Sequence, residues 1–102
     1  MFKIEQIQER IKRDEYHFYR HGDQERQSDN LTIAEVEEAI LNGLILEYYK
    51  DTGRGESYLI VGFTNGGKPL HVICGARGNS VVIITVYIPR PPKFKNPYER
   101  GK

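Results

Sequence analysis

The side chains best suited to move a proton near neutral pH are three histidines, His17, His21 and His71. Beside them stands Tyr87, whose hydroxyl can steady a reacting oxygen. With His71 as acid or base, His21 as its partner and Tyr87 as hydrogen-bond donor, a cationic side chain on the phosphate completes what RNA cleavage through the 2′-hydroxyl requires. No metal and no cofactor enter that chemistry. Zinc is the competing reading, because His17 and His21 have the spacing of a helical ligand pair and His71 with Cys74 resembles a second half-site. Residues three apart on a strand point to opposite faces, so His71 and Cys74 cannot both reach one ion without a bulge. Each group also has an ordinary role: His71 as a solvent-facing sheet residue, His21 as a first-turn helix residue paired with Glu25, Tyr87 as a half-buried aromatic with a wet hydroxyl.

The elements that carry these groups follow from periodicity. Ile4, Ile7 and Ile11 recur at helical spacing among Glu, Gln, Arg and Lys, so residues 2 to 14 read roughly as an amphipathic helix. In TIAEVEEAILNG, Thr32 caps a second helix, Glu35 completes a capping box, Val36, Ala39 and Ile40 form the apolar stripe, and Gly43 ends it. Between the two, EYHFYRHGDQERQSDN is aromatic and then strongly polar, compatible with a short helix or a loop. After Gly43 the pattern changes to LILEYY, SYLIVGFT, PLHVICGA and VVIITVYI, four strands rich in β-branched and aromatic residues. The fold class is therefore α+β, with N-terminal helices packed on a four-stranded, mainly antiparallel sheet.

Register decides which faces the site residues share. A two-residue turn at Gly66 and Gly67 pairs Phe63 with Leu70, Val61 with Val72 and Leu59 with Cys74, and sets Gly62 opposite His71. The missing side chain of Gly62 then leaves space above the imidazole. In the next hairpin, a three-residue loop at Arg77 to Asn79 with Gly78 left-handed sets His71 against Thr85, next to Tyr87. It also turns Val82, Ile84 and Val86 to the core; a two-residue loop would bury Tyr87 with Leu70.

At 102 residues, 38 % hydrophobic and 28 % charged, the chain has the size and composition of one folded domain spanning 1–102. Its longest apolar run is too short to span a membrane, no signal-peptide core opens it, and Cys74 lies inside an apolar run, so a reducing cytoplasm is expected. The net charge of +1 gives no global pull toward nucleic acid. It is unevenly spread, however. Residues 89–102 form a basic, Pro-rich tail with Arg90, Lys93, Lys95, Arg100 and Lys102, while Glu35, Glu37, Glu38 and Glu47 sit mid-chain. Such a tail either meets an anionic partner or docks on the protein's own acids, with Phe94 and Tyr98 as apolar anchors.

The blocks HGDQERQSDNLTIAEVEEAILNG, ILEYYKDTGRGESYLIVGFTNGGKPLHVICG and IITVYIPRPPKFKNPYER resemble the prokaryotic family called domain of unknown function 4258. A histidine ahead of a capped helix, then PLHVI, then ITVY followed by proline and a basic tail, is the shared order. The resemblance implies kinship with RelE/ParE-like and BrnT-like toxins of type II toxin–antitoxin systems. It also implies a cognate antitoxin, a YgiT-type zinc-finger protein encoded next door, and a fold of helices on an antiparallel sheet. By position it matches His21, His71 and Tyr87 to the family's early histidine, strand histidine and ITVY tyrosine, and Arg100 to its tail arginine. Two departures stand out: Asp29 replaces an arginine that many relatives carry before the capped helix, and Tyr58 stands where cysteine is common.

The expected function is thus a toxin acting as a metal-independent mRNA endonuclease. Its catalytic residues are His21, His71 and Tyr87, and Lys95 and Arg100 bind RNA, alone or on the ribosome. The alternative is a non-catalytic protein-binding module whose histidines only hold tertiary structure. A tail folded across the polar face favours the alternative, since a covered site cannot admit RNA.

Overall fold

The computed structural model describes residues 3–50, 55–77 and 80–101. Helix α1 (Ile4–Lys12) leads to a short strand β1 (Tyr16–Phe18), helix α2 (Arg20–Ser28) and helix α3 (Ile33–Leu41). Strands β2 (Leu44–Tyr49), β3 (Ser57–Phe63), β4 (Pro69–Arg77) and β5 (Ser80–Tyr87) follow, and the tail folds as a hairpin of β6 (Phe94–Asn96) and β7 (Glu99–Arg100).

The main sheet has five strands in the order β1-β5-β4-β3-β2, with β1 parallel to β5 and the other pairs antiparallel. This corrects the expected four-stranded arrangement. The added strand is three residues long, too short for an alternating pattern, and its partner Val81 lies far along the chain from Tyr16. The undecided EYHFYRHGDQERQSDN segment is β1 followed by α2. That helix buries only Gly22, so it has no apolar stripe to reveal it.

Local chemistry sets the helix ends. Thr32 Oγ1 accepts from Glu35 N at 3.0 Å while Glu35 Oε1 accepts from Thr32 N at 2.9 Å, the capping box read in the sequence. Helices α1 and α2 both stop at a residue in the left-handed region, Asp14 (φ 58°) and Asn30 (φ 57°). The next amide reaches back in each case, Glu15 N to Arg10 O and Leu31 N to Arg26 O, both at 2.9 Å.

Helices α1 and α3 cover one face of the sheet, where Ile7, Ile11, Val36, Ala39 and Ile40 meet Tyr58, Ile60, Leu70, Val72, Cys74, Ile83 and Val86. Leu59, Val61 and Val82, which pair with Ile73, His71 and Gly75, lie on the other face and are buried as well. Phe94 and His71 are buried with them.

Both expected hairpin registers are corrected. The first turn is longer by one residue: Thr64 N donates to Lys68 O, Lys68 N to Thr64 Oγ1 and Gly67 N to Thr64 O, with Gly67 at φ +89°. Phe63 therefore pairs with Pro69, Gly62 with Leu70 and Val61 with His71. Gly62 does not open space above the imidazole. A Cβ there would stand 1.7 Å from the carbonyl oxygen of Ala39, so the glycine is what lets α3 lie on β3.

In the second hairpin the expected loop with Gly78 left-handed falls on residues 78 and 79, outside the described residues. Flanking them, Arg77 pairs with Ser80, and an irregularity between Ile73 and Cys74 then advances the register. His71 consequently pairs with Tyr87 itself, not Thr85, and Tyr87 is not buried with Leu70. Val82 and Val86 are both buried, but on opposite faces of the sheet rather than together, and Ile84, at the bulge, is only partly covered.

Candidate functional site

His71 is fully buried at the middle of the sheet, opposite Tyr87. Its Nε2 lies 2.7 Å from the carbonyl oxygen of Pro97, and its Nδ1 lies 3.1 Å from Tyr87 Oη. A carbonyl can only accept, so Nε2 carries the proton and the neutral Nδ1 accepts from the tyrosine hydroxyl. Both ring nitrogens are thereby committed. The Phe94 ring stands edge-on to the imidazole, centroids 4.4 Å apart at 85°.

The tail is what closes this group. Phe94 N donates to Arg90 O at 3.1 Å and Gly101 N to Lys93 O at 2.8 Å, which folds residues 90–101 back on themselves. Arg100 then grips Glu47 with two hydrogen bonds, Nε to Oε2 at 2.9 Å and Nη2 to Oε1 at 2.6 Å. Its guanidinium sits over the Phe94 ring at 5.1 Å. So the tail docks on the protein's own acids, through Glu47 on β2. The Arg100 hydrogen bonds and that of Tyr49 hold the Glu47 carboxyl below its ordinary range. Phe94 is the anchor the sequence suggested, whereas Tyr98 stays half exposed.

Burial is the main cause that pushes the His71 pKa down from 6.5, opposed by the Pro97 hydrogen bond. Below about pH 6.5 the unfolded chain takes up this proton more readily than the native one, so native stability falls as pH drops, until the lowered native pKa is reached. Urea melts between about pH 7.5 and 5.5 should therefore show the wild type losing stability on acidification. His71→Gln should flatten that slope. An equal slope in the two would refute the assignment to His71.

His21 lies elsewhere. It occupies the first turn of α2, 68 % exposed, with Nε2 3.3 Å from Glu25 Oε2. Helix α2 flanks β5 beyond the point where β1 stops, and there its carboxylates serve as backbone acceptors. Glu25 Oε1 takes the Val86 N–H at 3.0 Å and Asp29 Oδ2 the Ile88 N–H at 3.4 Å. Gly22 permits the approach, since a Cβ would stand 2.8 Å from Ile83 O. An open cavity of about 420 Å³ lies between the helix and the strand, lined by His21, Gln24, Glu25, Ser28, Asp29, Val86 and Tyr87.

The structure thus brings Tyr87 together with both histidines, but on two sides. His71 lies behind it under the tail and His21 beside it on the open cavity. Of the two phosphate-binding candidates, Arg100 is held by Glu47, and Lys95 forms an exposed ion pair with Glu99 at 3.1 Å. Lys93, which the sequence reading gave no role, places its Nζ 5.1 Å from the centre of the Tyr87 ring. Missed too was the Pro97 carbonyl, a backbone group with no side-chain signature. Asp29, one of the two departures from the family pattern, is among the residues that line the cavity.

Among the described residues no group of three or more His, Cys, Asp or Glu could hold a metal ion. His17 lies on β1 and His21 on α2, so they are not a helical pair. Cys74 is a buried thiol pushed up to about 12 by that burial, which leaves it inert. No helix among the described residues is long and apolar enough to cross a membrane.

A family model described as Domain of unknown function (DUF4258) matches residues 18–88, which carry His21, His71 and Tyr87 but not Lys95 or Arg100. No curated protein and no solved structure matches the chain.

Proposed function

The chain belongs to the DUF4258 family, and from that premise we propose that it is the protein-binding, non-catalytic member of a toxin–antitoxin-like pair. One observation carries this reading: His71, the best acid–base candidate, is sealed beneath the tail with both nitrogens hydrogen bonded. Its role here is to fasten the tail to the sheet. The cavity beside Tyr87 supports the same view, because Glu25 and Asp29, each also accepting a backbone amide, put two carboxylates in its lining. Carboxylates in a cleft repel a phosphate backbone and favour a basic side chain of a protein. The partner is a cytoplasmic antitoxin of the zinc-finger type, and kinship in fold with RelE/ParE-like and BrnT-like toxins belongs to this reading.

A second reading has its own observation. His21, oriented by Glu25, shares one open cavity with Tyr87, and Lys93 supplies a cation beside that ring. Those groups would give an mRNA endonuclease working from the cavity an acid–base residue and a cation, with His71 holding the Tyr87 hydroxyl from behind.

Purified protein incubated with messenger RNA, with and without ribosomes, separates the two. The binding reading expects intact RNA and a stoichiometric complex with the neighbouring gene's product. RNA cleavage that disappears in His21→Ala and Tyr87→Phe, each with a wild-type melt, would overturn it in favour of the nuclease.

A further inference from the structure

The two edges of the main sheet are treated differently. At the β1 end the edge is only three residues long, and α2 takes over beyond it, its carboxylates accepting β5 amides. At the β2 end, the six residues LILEYY carry no further strand among the described residues. Exposed edges of this length are normally blunted by lysine, proline, outward charge or a bulge, and β2 carries an irregularity at Leu46. LILEYY has neither lysine nor proline, and its one charge, Glu47, is turned to the tail and held by Arg100. Leu44 and Tyr48 remain 49 % and 42 % exposed.

We infer that β2 pairs antiparallel with β2 of a second copy of this chain, joining two five-stranded sheets across a two-fold axis. The pairing with β3 selects the occupant and the register. Leu44, Glu47 and Tyr49 sit opposite Val61, Leu59 and Ser57 on the tail side, while Ile45 and Tyr48 sit opposite Ile60 and Tyr58 on the helix side. The bulge at Leu46 produces this switch. A two-fold axis normal to the sheet keeps each face with itself, and only a register that respects the faces is allowed. Setting Leu44 against the second copy's Tyr49 and Ile45 against its Tyr48 satisfies every pair and places the two bulges face to face. Two of the three distinct pairs are then aliphatic against aromatic, one on each face, the third sets Leu46 against Glu47, and no two like charges stand directly opposite each other. An unrelated strand would have no reason to match that alternation; an identical one does.

Sedimentation at micromolar concentration tests the pairing. The wild type should sediment with twice the mass of one chain, and Leu44→Lys, at an exposed position that folding does not need, should halve it. Ile33→Lys, an equally exposed apolar position on α3, should leave the dimer intact. Should Leu44→Lys fail to fold, Tyr48→Lys carries the same expectation from the other face. A monomeric wild type, a folded Leu44→Lys that stays dimeric, or an equal loss in Ile33→Lys would each overturn the proposal. So would a chain that is monomeric alone and protects Leu44 only in complex with the neighbouring gene's product.

Discussion

Gly62→Ala should cost the domain about 4 kcal/mol or more, enough to abolish most of the stability of a typical small domain. The added methyl would stand 1.7 Å from the oxygen, 2.7 Å from the carbonyl carbon and 3.1 Å from the Cα of Ala39. All three are backbone atoms of α3, so no side chain can rotate aside. Ordinary overpacking in a core costs about 1–3 kcal/mol because rotamers and backbone share the strain. Here the helix itself must lift from β3, and Ala39 and Ile40, both fully buried, lift with it. Gly66→Ala is the matched control. Its methyl would meet only Thr64 Oγ1, at 3.8 Å, so the change should lie within about 0.5 kcal/mol of wild type. Urea midpoints of the two variants measure the contrast, and a Gly62→Ala midpoint near wild type would mean that α3 does not rest on β3 as described.

Gly62 also marks where sequence reasoning met its limit. Elements with a strong local signal were legible: α3 through Thr32, Glu35 and its apolar stripe, α1 through its isoleucines, and β2 to β5 through their β-branched runs. Helix α2 was not, because its contact with the sheet is made by an absent side chain, Gly22, and by carboxylates that accept backbone amides. Capping by Asp14 and Asn30 could have marked the ends of α1 and α2, since these residues tolerate the left-handed region. Registers failed for another reason. One turn is set by a hydroxyl, Thr64 Oγ1, and one ladder by a bulge between Ile73 and Cys74, and neither has a distinctive local pattern. That His71 and Tyr87 share a face was reached through a register that does not occur. The pairing that does occur brings them closer, and the tail that covers them contributes a bare carbonyl no sequence pattern announces.

Phe94→Ala should be the most damaging change outside the sheet, because a two-stranded ribbon such as β6 and β7 is barely stable alone and must be held by what it docks against. Phe94 is 1 % exposed, meets the His71 ring edge-on and lies under the Arg100 guanidinium. Removing a buried phenylalanine ring costs about 3–5 kcal/mol. How that loss appears depends on the cheaper opening. If the tail can leave while the sheet stays folded, the sheet keeps its melt and only residues 90–101 lose protection. Amide exchange resolves this, with Gly101 and Phe94 as reporters, since their N–H groups bond within the tail to Lys93 and Arg90. An imidazole-modifying reagent gives the second reading: His71 should resist it in the wild type and react in Phe94→Ala, whereas exposed His21 should react in both. Equal reactivity of His71 in the two proteins would show that the tail does not seal it. The variant also sharpens the functional question. If His71 only fastens the tail, uncovering it leaves messenger RNA intact; RNA cleavage gained in Phe94→Ala and lost again with Phe94→Ala and His71→Ala together would make the tail a cover over a working acid–base group.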